Sequence, residues 1–250
     1  MDDDTLLAVL TDVVVAVRAA LDGLDDWKQP GVRPGQYRLD LVADRAACDV
    51  LHAAGLAVMS EESGLSGPIG PRHVEEDLLV VLDPVDGSTN ASLGIPWFAT
   101  SLCVLDGAGA RVALVVNQAT GVRYEAVRGR GARRDGRPIA PSGCRTLSKA
   151  VVGISGFPDL RPGWAQFRAL GSAALDHCAV AEGVLDGYRV VGGSSLFGWD
   201  YLGGMLLCLE AGAAVGEYFG NDLIVLDDSR RWPVAAATPE LLAELLAAKV

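Results

Sequence analysis

The stretch Leu78-Leu79-Val80-Val81-Leu82 is unbroken apolar and runs straight into Asp83-Pro84-Val85-Asp86-Gly87-Ser88-Thr89-Asn90. A short apolar run bounded by polar residues predicts a strand buried on both faces, and such a strand belongs inside a layered fold. Two carboxylates three residues apart, where that strand ends, can point at one locus. Pro84 stiffens the connection, and Gly87 permits a sharp turn with close approach of backbone to ligand. Ser88, Thr89 and Asn90 then offer hydroxyl and amide groups at a predicted helix start, where exposed N–H groups suit a phosphate. Taken singly, each of these residues is no more than a turn or an N-cap. The whole string at a strand end is far more specific.

Two other segments gain meaning beside it. Ser60-Glu61-Glu62-Ser63-Gly64 follows a short strand expected at Leu56–Met59. Hard cations such as Mg²⁺ take carboxylate oxygens, so Glu61 could complete a cluster with Asp83 and Asp86. Alone, an E-E-S string is a solvated turn. Trp199-Asp200 opens an apolar helix running to Ala211, where an Asp taken by itself caps the helix or complements its dipole.

The rest of the chain supplies the layers. Leu6, Leu7, Val9, Leu10, Val13, Val14, Val17 and Leu21 recur at helical spacing, with Thr5 or Asp4 to cap the start and Gly23 the end. A Pro- and Gly-containing loop or flap spans 25–36, and a second helix is expected from Asp40 through Leu51 to Ala54. Segment 64–71 reads as turns. Strands at 99–105, 112–117 and 122–127, separated by Asp106-Gly107-Ala108-Gly109 and Ala119-Thr120-Gly121, predict an antiparallel meander. A strand at 150–155, helical patterns at 164–170 and 173–182, strands at 214–218 and 233–237, and a helix from Pro239 to Ala248 complete the reading. Helices and strands mix without strict βαβ alternation. The expected fold class is α/β, with sheets sandwiched between helices.

Charge narrows the function. A formal net charge of −11 argues against a general nucleic-acid partner, which needs Lys and Arg to neutralise phosphates. An acidic protein can still take an anionic substrate if bound divalent cations reverse the sign of the site. The five cysteines are scattered without C-x-x-C spacing and read as reduced thiols. The acidic start is unlike a secretory signal, and no apolar run approaches membrane-spanning length; the expectation is a cytoplasmic protein with no membrane partner. His52, His73 and His177 are assigned no chemistry.

Together the three acidic segments resemble the inositol monophosphatase family of magnesium-dependent, lithium-sensitive phosphatases, over nearly the whole chain. The resemblance implies a layered α–β–α–β–α sandwich of the inositol monophosphatase and fructose-1,6-bisphosphatase type. Its N-terminal half, 1–145, would carry most metal ligands, and its C-terminal half, 146–250, would carry Asp200. It implies two to three Mg²⁺ ions, the first on Glu61, Asp83 and the Val85 carbonyl, the second on Asp83, Asp86 and Asp200, with Glu61 near a third. Gly87, Ser88 and Thr89 would hold the phosphate of a small-molecule phosphate ester, and Ser172 and Gly193 would border the substrate. Water activated by the metals would attack in line, oriented by Glu61 and Ser88. An upstream Asp, for which Asp40 in Arg38-Leu39-Asp40-Leu41-Val42-Ala43-Asp44 is the favoured candidate, would polarise Ser88; the equally open alternative is that Asp40 merely caps the second helix. Lys28 and Arg38 are the candidates for the family's flap cation, and a homodimer is implied. Gly193 stands where many relatives carry an acidic residue, which weakens an inositol substrate. Histidinol phosphate, fructose 1,6-bisphosphate and 3′-phosphoadenosine 5′-phosphate are the alternatives on the same fold. A non-catalytic relative that binds a ligand or partner is the alternative of another class.

Overall fold

The computed structural model describes residues 1–68, 78–158, 163–227 and 229–248, so His73 lies outside it. Helix α1 (Asp3–Asp22) buries Leu6, Leu10, Val13, Val17 and Leu21, the stripe expected from their spacing. Its N-cap is Asp2 rather than Thr5 or Asp4, with Asp2 Oδ1 accepting the Thr5 N–H at 2.7 Å. Thr5 and Asp4 already lie within the first turn. Helix α2 (Arg38–Ala53) begins two residues before Asp40 and packs on α1.

These helices cover one face of an eight-stranded sheet. In chain order its strands are β1 (Ala57–Ser60), β2 (Gly64–Ser66), β3 (Leu79–Asp86), β4 (Ala99–Asp106), β5 (Gly109–Asn117), β6 (Arg123–Val127), β7 (Gly131–Arg134) and β8 (Arg137–Pro138). Their spatial order is β2-β1-β3-β4-β5-β6-β7-β8, antiparallel except for the β1–β3 pair. The meander from β3 to β6 matches the expectation. β2 (Gly-Leu-Ser) and β7 (Gly-Ala-Arg-Arg), beyond it, are too short to show a period-2 pattern. Strand β3 is buried on both faces as its composition requires: Val80 and Leu82 join the core under α1 and α2, whereas Leu79 and Val81 join the core on the other side.

That second core holds α4 (Ala173–Ala181) and α5 (Gly198–Ala211), which lie between the large sheet and a five-stranded sheet. The smaller sheet has the order β10-β9-β11-β13-β12, from β9 (Val151–Ser155), β10 (Gln166–Arg168), β11 (Gly187–Val190), β12 (Ala214–Glu217) and β13 (Pro233–Ala236). Helix α6 (Pro239–Ala247) covers its outer face. The result is the α–β–α–β–α sandwich. One helical expectation is overturned: within 164–170 the structure has β10, an exposed edge strand paired parallel to β9. Its apolar spacing is compatible with either element, and pairing to β9 decides it.

Helix α5 reaches its central position through two small residues. A Cβ on Gly203 would meet Ser101 Oγ at 2.8 Å, and one on Gly204 would meet the His177 Cβ at 2.4 Å. No described helix is long and apolar enough to cross a membrane. All five cysteines are free thiols.

Candidate active site

Asp83 and Asp86 are three residues apart, a spacing that puts side chains on opposite faces of a regular strand. The register against β4 breaks here: Asp83 pairs with Ser101 and Asp86 with Ala99. The extra residue on β3 is a β-bulge, and it turns the Asp86 carboxylate back toward the side of Asp83. Pro84 sits inside the bulge, where a missing N–H costs no ladder bond. The Val85 N–H bonds Asp83 Oδ1 at 3.0 Å, stiffening the loop further.

Glu61 arrives through the one parallel pairing among the described residues of the large sheet. Ser60 on β1 lies opposite Leu82 on β3, so the next residues, Glu61 and Asp83, become neighbours. The Glu61 N–H bonds the Leu82 carbonyl at 3.1 Å. Asp200 comes from the first turn of α5, where its Oδ2 accepts the Phe197 N–H at 2.7 Å. Carboxylate oxygens of Glu61, Asp83 and Asp200 then lie within 4.8 Å of one another. Asp86 stands beside them, its Oδ2 held by the Ser172 hydroxyl at 2.5 Å and the Ala174 N–H at 2.7 Å.

Four carboxylates so close cannot all ionise without cost. Burial, then the charges of Glu61, Asp86 and Asp200, hold Asp83 well above the ordinary carboxylate range; it is 2 % exposed. Burial, then Asp86 and Glu61, do the same to Asp200. Burial first and Glu62 second push Glu61 up to about 7, and burial raises Asp86 to about 6 against the pull of Ser172 and Ala174. No described Lys or Arg forms an ion pair with any of the four. An all-oxygen, uncompensated, buried acidic cluster fits a hard divalent cation.

The phosphate-loop candidates follow directly. Gly87 has φ +88°, and a Cβ there would strike the Gly171 and Trp97 carbonyls at 2.9 and 3.0 Å. Ser88 and Thr89 open α3 (Ser88–Leu93). Asn90 serves structure instead: its Nδ2 donates to the carbonyls of Trp97 (2.8 Å) and Leu170 (2.7 Å). Asp40 caps α2, its Oδ2 accepting the Tyr37 N–H at 2.8 Å, and its carboxylate lies near Ser88. Burial pushes Asp40 up to about 7.

Ser172 and Gly193, expected to border the substrate, stand in different surroundings. Ser172 is 1 % exposed, and its hydroxyl is donated to Asp86, so it holds a carboxylate rather than facing open space. Gly193 lies in the loop after β11 with φ +76°, and a Cβ there would touch nothing within 4 Å. A flap cation that reaches the turn beside the cluster is Arg33. Arg33 and Gln36 both donate to Glu62, whereas Arg38 turns away to Gln29 at 2.8 Å. A cavity of about 700 Å³ opens here, lined by Arg33, Glu61, Glu62, Phe197, Trp199 and Asp227. No local pattern marks Arg33, because only the folding of the flap onto Glu62 brings it to the site.

The layered sandwich and its convergent carboxylates define a class of metal-dependent phosphatase folds. The sequence matches the inositol monophosphatase family over residues 37–250, and the chain belongs to that family. It is 34 % identical over 214 residues to a fructose-1,6-bisphosphatase/inositol-1-monophosphatase of Archaeoglobus fulgidus, covering 83 % of this chain and 81 % of that one. It is 30 % identical over 226 residues to the Nus factor SuhB of Pasteurella multocida, covering 83 % and 79 %. A solved Pyrococcus horikoshii protein with similarities to inositol-1 monophosphatase shares the fold at TM-score 0.83 and 24 % identity, over 98 % of both chains.

Proposed function

We propose that this chain is a Mg²⁺-dependent phosphatase of small-molecule phosphate monoesters. The observation that carries the reading is the convergence of Glu61, Asp83 and Asp200 within 4.8 Å beside Asp86. In this reading Glu61, Asp83, Asp86, Asp200 and the Val85 carbonyl hold the ions. Bound Mg²⁺ lowers the pKa of water and neutralises charge on the transferred phosphoryl group.

The protein's own groups do the rest. Backbone N–H groups after Gly87 receive the phosphate oxygens, and the Thr89 hydroxyl adds a donor. The Ser88 Oγ, donating its proton to Asp40, presents a lone pair to the attacking water and orients it. A carboxyl raised to about 7 is matched to exchanging that proton near neutral pH. Glu61 takes part in orienting the same water.

The substrate follows from turnover. Phosphate release is measured from inositol 1-phosphate, histidinol phosphate, fructose 1,6-bisphosphate and 3′-phosphoadenosine 5′-phosphate, with Mg²⁺ or EDTA. Release that needs Mg²⁺ and falls at least about 1,000-fold in Asp83→Asn is the expected result. No release from any ester, in a folded protein that binds Mg²⁺, would favour the second reading. In that reading the chain is a binding protein, and relatives named Nus factors are the observation in its favour.

A further inference from the structure

The turn that presents Glu61 is held from outside the sheet. β1 ends at Ser60, and the Glu61 N–H bond to Leu82 is the last ladder contact before the chain reverses into β2. Across that reversal stands Asp44, on the buried face of α2 and 7 % exposed. Its Oδ1 accepts the hydroxyls of both Ser60 and Ser63, the latter at 3.2 Å, and the Cys48 thiol approaches it at 3.7 Å. Ser60 Oγ, fully buried, also accepts the Glu62 N–H at 3.2 Å. Asp44 therefore grips the turn on both sides of Glu61 and, through Ser60, fixes the Glu61–Glu62 peptide.

This arrangement is more than a helix contact. No described cation pairs with Asp44; its carboxylate is met by two hydroxyls and a thiol, and charge-assisted bonds from hydroxyls are short and directional. They are aimed at Ser60 and Ser63, which lie on either side of the Glu61–Glu62 pair. The opposite side of the turn is fixed by Arg33 and Gln36, which donate to Glu62. Glu61 is thus the free member of a turn whose other side chains are all engaged, and its carboxylate is left to face Asp83 and Asp200.

We propose that Asp44 is a positioning residue for Glu61 and thereby sets the affinity of the site for its divalent cation, an inference that rests on the phosphatase reading. Groups that orient a metal ligand from behind it typically govern affinity by about 10–100-fold. The test is calorimetric titration of Mg²⁺ into the metal-free full chain, for wild type, Asp44→Ala and Asp44→Asn, with circular dichroism confirming the fold. Asp44→Ala is expected to bind Mg²⁺ about 10–100-fold more weakly. Asp44→Asn keeps a carbonyl oxygen for both hydroxyls and is expected to recover most of that loss. Equal Mg²⁺ affinity in Asp44→Ala and wild type overturns the proposal, because a merely structural role lowers the melting temperature and leaves the affinity of folded molecules unchanged. If Asp44→Ala does not fold, Ser60→Ala takes its place. It removes the relay to Glu62, and wild-type affinity in that variant overturns the proposal equally. A wild-type protein that binds no Mg²⁺ overturns the phosphatase reading itself, and the proposal with it.

Discussion

A single carboxylate, Asp83, carries the tension between stability and function in this protein. It is buried among like charges, with no described cation to compensate it. Such a group is held in place by the surrounding structure at a cost to stability. Asp83→Asn removes the buried ionisable group while keeping an oxygen to accept the Val85 N–H. Its metal-free melting temperature at pH 8 is expected to rise above wild type, and added Mg²⁺ to shift it no longer. Thermal scans with and without Mg²⁺ check both; a lower metal-free melting point would contradict the electrostatic account. At this scale much of the site was legible. The D-x-x-D spacing, Glu61 and Asp200 were all visible as acidic residues opening turns or helices. The destination of the Ser172 hydroxyl was not, because Asp86 lies 86 residues away in sequence.

Among the elements, α5 decides how closely the layers stack. It lies against β4 and β5 on one side and α4 on the other, and the Gly203–Gly204 pair allows both approaches. In an exposed helix Gly→Ala gains about 1 kcal/mol. Here the sign reverses. A Cβ on Gly204 would sit 2.4 Å from the His177 Cβ, an atom fixed to its own helix backbone. Gly204→Ala is expected to destabilise by about 1–3 kcal/mol, the usual cost of overpacking, as read by urea denaturation. A stabilised variant would mean that α4 shifts without penalty. Elements with a long pattern were readable from sequence: α1 from its stripe, β3 to β6 from apolar runs and turn pairs. The edge strands β2, β8 and β10 were not. They span two or three residues each, and their pairing to a neighbour, not their composition, makes them strands.

For the molecule as a whole, the acidic cluster couples stability to pH and metal. Asp40 and Glu61, raised to about 7, and Asp83 and Asp200, held well above the ordinary carboxylate range, hold protons in the folded state that the unfolded chain has released. Their contribution is fully present at low pH and is lost as pH rises through the folded-state values. His177 acts in the opposite direction, since burial lowers it to about 4, but its effect is confined below its unfolded value of 6.5. Between pH 6.5 and 8 the carboxylates dominate, and the buried thiols, also raised by burial, act in the same direction toward the upper end. Each excess proton is worth about 1.4 kcal/mol per pH unit. The metal-free melting temperature is expected to fall by roughly 3 °C or more over that interval. Saturating Mg²⁺ should flatten the dependence, because it binds only the ionised, folded cluster. A metal-free protein whose melting temperature is constant or rises from pH 6.5 to 8 would contradict this.

What the sequence determined by itself was local and periodic. The apolar run ending at Leu82 required burial on both faces, the α1 stripe required a helix, and the three acidic segments named the donors of one site. Their meeting depended on geometry that no local pattern encodes. The β3 bulge turned Asp86, parallel pairing of β1 with β3 set Glu61 beside Asp83, and the N-terminus of α5 delivered Asp200. Asp44, Arg33 and Ser172 acquired their partners only then. The physical reason is reach. Backbone propensity and hydrophobic period act over a few residues, whereas a buried carboxylate is defined by whatever the finished packing sets against it.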